Sequence, residues 1–226
     1  IVILLLASCG GPEHRDGVVE DAARHRTLDY RIWLPEGVKS GSHYPLILFS
    51  HGSGDTYSNH TSFIASLAAE GYLVAAVNHP GNTSRDNSDV GVISVWRRPA
   101  DLSRLLDALL ADKAWSNLID RDRIGVAGFS SGGYTAIAMA GAVYDKNLMQ
   151  AYCRSDLSGA DCKLAKSYAG VDYSSASASY RDDRIKAVFA MAPAVGQAIT
   201  EASLRQIAVP VTILAALPLS IGGAFV

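Results

Sequence analysis

The feature that most narrows the fold is a pair of unbroken apolar runs, Tyr44 to Phe49 and Tyr72 to Val77, separated by apolar residues at helical spacing (Phe63, Ile64, Leu67, Ala68). A run without polar alternation suits a strand buried on both faces, and such strands belong to parallel sheets covered by helices on each side. The stretch therefore reads as strand, helix, strand. A second unit repeats it: Leu102, Leu105, Leu106, Leu109 and Leu110 share one helical face, Pro99 suits the first turn, and a strand from Arg123 to Phe129 follows. Gly132 to Ala142 is a small-residue helix able to pack closely on a sheet. Strands at Ile185 to Met191 and Val209 to Ala215, with a helix from Gln197 to Ile207 between them, resume the rhythm. Arg26 to Leu34 alternates and reads as a half-exposed edge strand before the turn Pro35-Glu36-Gly37. The expected class is α/β, a doubly wound, mostly parallel sheet with right-handed crossovers. Residues 144–183 break the pattern with Tyr, Ser, Asp and two cysteines, and read as a cap-like insertion over the sheet's edge; Tyr168, Tyr173 and Tyr180 are candidates to line a pocket beneath it.

Composition sets the outer limits. The 226 residues fit one large domain, 26–226, better than several small ones. A hydrophobic fraction of 49% against 19% charged residues excludes a disordered chain. The formal charge is -2 and the only tight basic pair is Arg97-Arg98, so nucleic acid is not an expected partner. No apolar run approaches the ~20 residues of a membrane-spanning helix. The run Leu6-Ala7-Ser8-Cys9 resembles a bacterial lipobox, which implies that 1–9 is the remnant of a lipoprotein signal peptide and that Cys9 carries the lipid. On that reading 10–25 is a linker, and the domain is anchored on the periplasmic side of a bacterial membrane, the outer one since Gly10 is not an Asp retention signal. The other reading of the run is a buried first strand ending at Gly10-Gly11-Pro12. Cys153 and Cys162 then remain as a pair flanking a polar segment, expected to be a disulfide in an oxidising compartment, with two unrelated thiols as the alternative. Without a Cys-x-x-Cys pair or a His-x-x-x-His spacing, no metal site is expected.

The chemistry concentrates at Gly128-Phe129-Ser130-Ser131-Gly132, a G-x-S-x-G between an apolar strand and a small-residue helix. That context is the one a nucleophile elbow requires: a tight strand-to-helix turn that thrusts Oγ outward, with glycines on either side to avoid clashes. The helix start behind Ser130 offers free N–H groups and a positive dipole end to a developing oxyanion. The predicted strand Tyr44 to Phe49 runs into Ser50-His51-Gly52-Ser53-Gly54, where a second oxyanion donor belongs. The Ser53 and Ser131 amides are the candidate oxyanion hole. His51 is expected to hold its loop by a hydrogen bond, and His79 to be a satisfied loop histidine. A dinucleotide fingerprint starting at Gly52 fails, because Tyr57 stands where the third glycine belongs and the next strand ends in Asn78 rather than an acid.

From Leu28 to Ala215 the chain resembles the bacterial predicted dienelactone hydrolases, related to platelet-activating factor acetylhydrolase, within the α/β-hydrolase fold. The segments that carry the likeness are Pro45 to Gly54, Val77 to Thr83 (Val-Asn-His-Pro-Gly-Asn-Thr), Trp96 to Leu102 (Trp-Arg-Arg-Pro-Ala-Asp-Leu) and Arg123 to Gly133. The resemblance implies Ser130 as nucleophile, Ser53 and Ser131 as oxyanion-hole residues, hydrolysis of a small carboxylic ester through an acyl-enzyme, and no cofactor.

Two members of that pattern are missing. The fold's triad runs Ser, then Asp or Glu, then His. All six histidines (14, 25, 43, 51, 60 and 79) precede Ser130, and Leu219 stands where the family pattern has its Asp. The expectation is a chain clipped at both ends, lacking the fold's last strand or strands and helix, and without esterase turnover as it stands. The alternative from another class is a non-catalytic lipoprotein that keeps the fold as a binding scaffold.

Overall fold

The computed structural model describes residues 12–39, 41–155, 162 and 170–215. Within them seven strands form one sheet in the order β1-β2-β4-β3-β5-β6-β7. They are β1 (His14–Asp21), β2 (Arg26–Trp33), β3 (Tyr44–Ser50), β4 (Leu73–Val77), β5 (Ile119–Phe129), β6 (Ala187–Met191) and β7 (Val211–Leu214). From β4 to β7 every pairing is parallel, and β1 and β2 add an antiparallel flap.

The apolar runs take the two-faced burial that their lack of alternation implies. All five residues of β4 are buried; Leu73, Ala75 and Val77 join one core cluster while Val74 and Ala76 join the other. Helix α1 (Thr61–Ala69) covers the second face through Ile64 and Ala68. On the first face lie α3 (Arg98–Ala111), with Leu102, Leu105, Leu106 and Leu109 buried, and α5 (Ser131–Met139), every residue of which is buried. Between them come the single-turn helices α2 (Asp89–Ile93) and α4 (Lys113–Ser116). The helix expected over Gln197 to Ile207 is two short pieces, Gly196–Ala198 and Glu201–Leu204, because the Thr200 side chain caps a fresh helix start there.

Two expectations need correction. The stretch 10–25 is not all linker: His14–Asp21 pairs with β2 across eight residues. Strand β2 is consequently not an edge, since β1 flanks it on one side and β4 on the other. Of the insertion, helix α6 (Lys146–Arg154) brings Met149 into a third cluster with Trp96, Tyr134 and Tyr144. Cysteines 153 and 162 are joined in a disulfide. Cys9 and its lipobox, Tyr168 and Leu219 lie outside the described residues.

Candidate active site

Strand β5 leads into α5 through Ser130, whose backbone sits at φ 54° and ψ -116°. A non-glycine residue enters positive φ only when its surroundings enforce it. Here both backbone groups of Ser130 are pinned. Its N–H donates to the Met191 carbonyl at 2.9 Å, and its own carbonyl accepts from the amides of Tyr134 (3.1 Å) and Ala194 (3.0 Å). The flanking glycines are steric necessities. A Cβ on Gly128 would come 2.2 Å from the Gly132 carbonyl oxygen, and one on Gly132 would come 1.9 Å from that of Ser50. Ser130 is half-buried, and its hydroxyl has no hydrogen-bond partner among the described residues.

A cavity of about 640 Å³ opens in front of it, and Ser53, Ser130 and Ser131 all line this one space. The sequence-derived trio is thus brought together from the ends of β3 and β5. Ser131 opens α5, so its N–H has no carbonyl of its own helix to pair with. The opposite wall comes from the insertion and the turn before α3: Ile93, Val95, Tyr144, Met149, Tyr173 and both disulfide cysteines. Tyr180 is set back, with its hydroxyl donating to the Ser175 carbonyl.

Behind the loop of Ser53 lies a buried polar network. His51, fully buried, donates from Nδ1 to the Gly52 carbonyl at 2.7 Å and accepts the His79 N–H on Nε2 at 3.1 Å, which fixes its tautomer. Burial, helped by His79 and Arg98, holds its pKa well below the ordinary imidazole value. The loop is held from its other side by Asn82, whose Oδ1 accepts from the Gly54 amide (2.6 Å) and the Ser53 hydroxyl (3.1 Å). Arg98 donates to the carbonyls of His51 (2.6 Å) and Gly52 (3.2 Å). Burial lowers its pKa to about 9, which leaves it charged at neutral pH.

One turn along α3, Asp101 receives Arg24 at 2.9 Å and Arg26 at 2.8 and 2.7 Å, together with His79 Nδ1 at 2.8 Å. Burial alone would raise its pKa, but the His79 and Arg26 bonds outweigh it and hold the carboxyl well below its usual range. The His79 ring, proton on Nδ1, then accepts the Ser50 hydroxyl on Nε2 at 2.9 Å. Ser50, His79 and Asp101 therefore carry the hydrogen-bond pattern of a catalytic triad while being at most 1% exposed. None of the three lines the cavity in front of Ser130. Sequence reasoning missed Arg98 and Asp101. Their signal was present, since 98, 101, 102 and 105 form one helical stripe and two of the four are charged.

Among the described residues no group of three or more His, Cys, Asp or Glu is gathered to hold a metal ion, and no helix is long and apolar enough to cross a membrane.

A mostly parallel, two-faced sheet with a strained serine at a strand-to-helix elbow defines an α/β-hydrolase architecture. Residues 47–220 match the model of the Alpha/beta hydrolase family, and the chain belongs to that family. Dipeptidyl peptidase 8 of Mus musculus is 25% identical over 118 residues, which are 49% of this chain and 13% of that protein. Platelet-activating factor acetylhydrolase of Cavia porcellus is 48% identical over 42 residues, 19% of this chain and 10% of the other. The chain therefore spans only a small part of the length of these relatives. Among solved structures, a ferulic acid esterase from Streptomyces cinnamoneus shares the fold with a TM-score of 0.57 at 20% identity, covering 92% of this chain and 66% of that one. An acylaminoacyl peptidase of Pyrococcus horikoshii does so with a TM-score of 0.51 at 17% identity, covering 91% and 32%.

Proposed function

We propose that Ser130 is the nucleophile of a serine hydrolase that cleaves a small carboxylic ester through an acyl-enzyme, with the Ser53 and Ser131 amides as its oxyanion hole. The observation that carries this reading is the strained Ser130 backbone above two obligatory glycines, facing a cavity shared with both candidate donors. Attack by Oγ on an ester carbonyl places negative charge on the carbonyl oxygen, and each correctly aimed amide is worth about a hundredfold or more in rate. The apolar wall from Ile93, Val95 and Met149 suits an acyl or alcohol group of modest size. Solved structures that share the fold include an esterase and a peptidase, and the reading taken is the ester.

The general base is not assigned to any of the 226 residues. His51 and His79 are buried and bonded away from Ser130, and no histidine follows the nucleophile. The 226-residue chain is accordingly expected to hydrolyse an activated acetate ester no faster than its Ser130→Ala variant, the outcome that the binding-scaffold reading shares. A longer product of this domain that carries a histidine after Ser130 separates the two. There a fluorophosphonate should label the Ser130 peptide, and Ser130→Ala should abolish both labelling and turnover; labelling that survives the substitution overturns the assignment.

A lipid on Cys9, holding the domain on the periplasmic side of a bacterial membrane, completes the proposal. The Cys153–Cys162 disulfide supports it, as such bonds persist in oxidising compartments. Palmitate labelling of the chain behind an intact signal sequence tests it, and an unlabelled product refutes it.

A further inference from the structure

The peptide joining Gly52 to Ser53 is trans, as is every peptide bond of the described chain. In a planar trans peptide the N–H points opposite to the carbonyl of the preceding residue. Whatever fixes the Gly52 carbonyl therefore fixes the direction of the Ser53 amide. Two donors converge on that oxygen, His51 Nδ1–H at 2.7 Å and an Arg98 Nη at 3.2 Å, while the other Nη of Arg98 takes the His51 carbonyl at 2.6 Å. Gly52 adds no Cβ of its own to resist a peptide flip, so these bonds supply the restraint that a side chain would otherwise give. Resting on the reading of Ser53 as an oxyanion donor, we infer that Arg98 and His51 are positioning residues that clamp the Gly52 carbonyl and so aim the Ser53 amide into the Ser130 cavity.

The surroundings suit a clamp. Arg98 is 1% exposed, and its planar fork spans two successive carbonyls, a geometry that the single ammonium of lysine cannot reproduce. Bonds from a buried, charged donor are among the strong ones. Its station is fixed by α3, of which it is the first residue, and Asp101 on the next turn supplies negative charge close by. The His51 ring is seated from behind by the His79 amide, and the His79 ring is in turn locked between Asp101 and Ser50. The chain of bonds thus runs from a buried carboxylate to one peptide plane at the cavity.

The test separates orientation from chemistry. In the 226-residue chain, residual dipolar couplings of the Ser53 and Ser131 N–H vectors, measured in a weakly aligned sample, report amide direction without needing any activity. Arg98→Met should change the Ser53 coupling and leave that of Ser131 in place. Arg98→Lys should recover it only in part. His51→Ala should change it as well, and His51→Gln, which can still donate and accept, should restore it. A folded Arg98→Met or His51→Ala chain with an unaltered Ser53 coupling overturns the inference; if Arg98→Met loses its cooperative unfolding transition, the His51 pair decides alone. In a longer product with a histidine after Ser130, Arg98→Met should lower kcat about a hundredfold with KM within about threefold, the signature of lost transition-state binding. Absence of any Ser130-dependent turnover there would count against the nucleophile and not against the clamp, because the couplings stand on their own.

Discussion

At His79 the physics of a single buried ring has a measurable consequence. Burial and Arg98 lower its pKa from 6.5 to about 4, in spite of the Asp101 carboxylate on its Nδ1. Between those two values the unfolded chain binds the proton and the folded chain does not, so stability falls as the pH drops from about 6.5 toward 4. The loss from this one group is on the order of 3 kcal/mol, and His51 acts in the same direction. Urea midpoints should therefore fall between pH 7 and pH 4.5, and His79→Asn should flatten that dependence; an equally steep profile in the variant would remove His79 as its origin. The serine of the elbow was legible because its steric demands are written into the residue types, with glycine at 128 and 132 where any Cβ would strike a carbonyl. The charged cluster was legible only in part. Arg98 and Asp101 share the helical stripe of Leu102 and Leu105, but the partners of Asp101, Arg26 75 positions away and His79 22 positions away, are not local.

Elements were readable where one period ruled and misread where polar composition hid it. Strand β1 has the sequence HRDGVVED, in which Val19 and Asp21 are the buried residues, so the alternation is carried by only two side chains. Its register is set by the partner strand instead. Arg31 pairs with Asp16 at 2.6 and 2.7 Å across the ladder, and the Tyr30 ring lies over Gly17, where a Cβ would come 2.4 Å from it. The insertion was seen as a break in rhythm, but its site on the cavity wall depends on contacts with Trp96 and Tyr134 that no spacing reveals. Its disulfide closes a ten-residue loop, which the chain-entropy account values at about 2.7 kcal/mol. A Cys153→Ser, Cys162→Ser pair should lower the denaturation free energy by roughly that amount. Unchanged stability under reducing and oxidising conditions alike would contradict this expectation.

Across the whole molecule, the parallel strands deliver the functional loops to one end of the sheet, with the ends of β3, β5 and β6 all within bonding distance of the elbow. That arrangement is what buried apolar runs and crossover helices specify, and the fold is shared with the Streptomyces esterase at 20% identity. The closed Ser50, His79 and Asp101 arrangement has a further consequence for how such molecules are surveyed. A search for three side chains at relay distances finds these residues and returns Ser50 rather than Ser130; a covalent reagent selects by access, and the Ser50 peptide should emerge from it unmodified. In this molecule a proton relay and an approachable hydroxyl occupy different addresses, and any inventory of hydrolases compiled from distances alone would count the former as the enzyme.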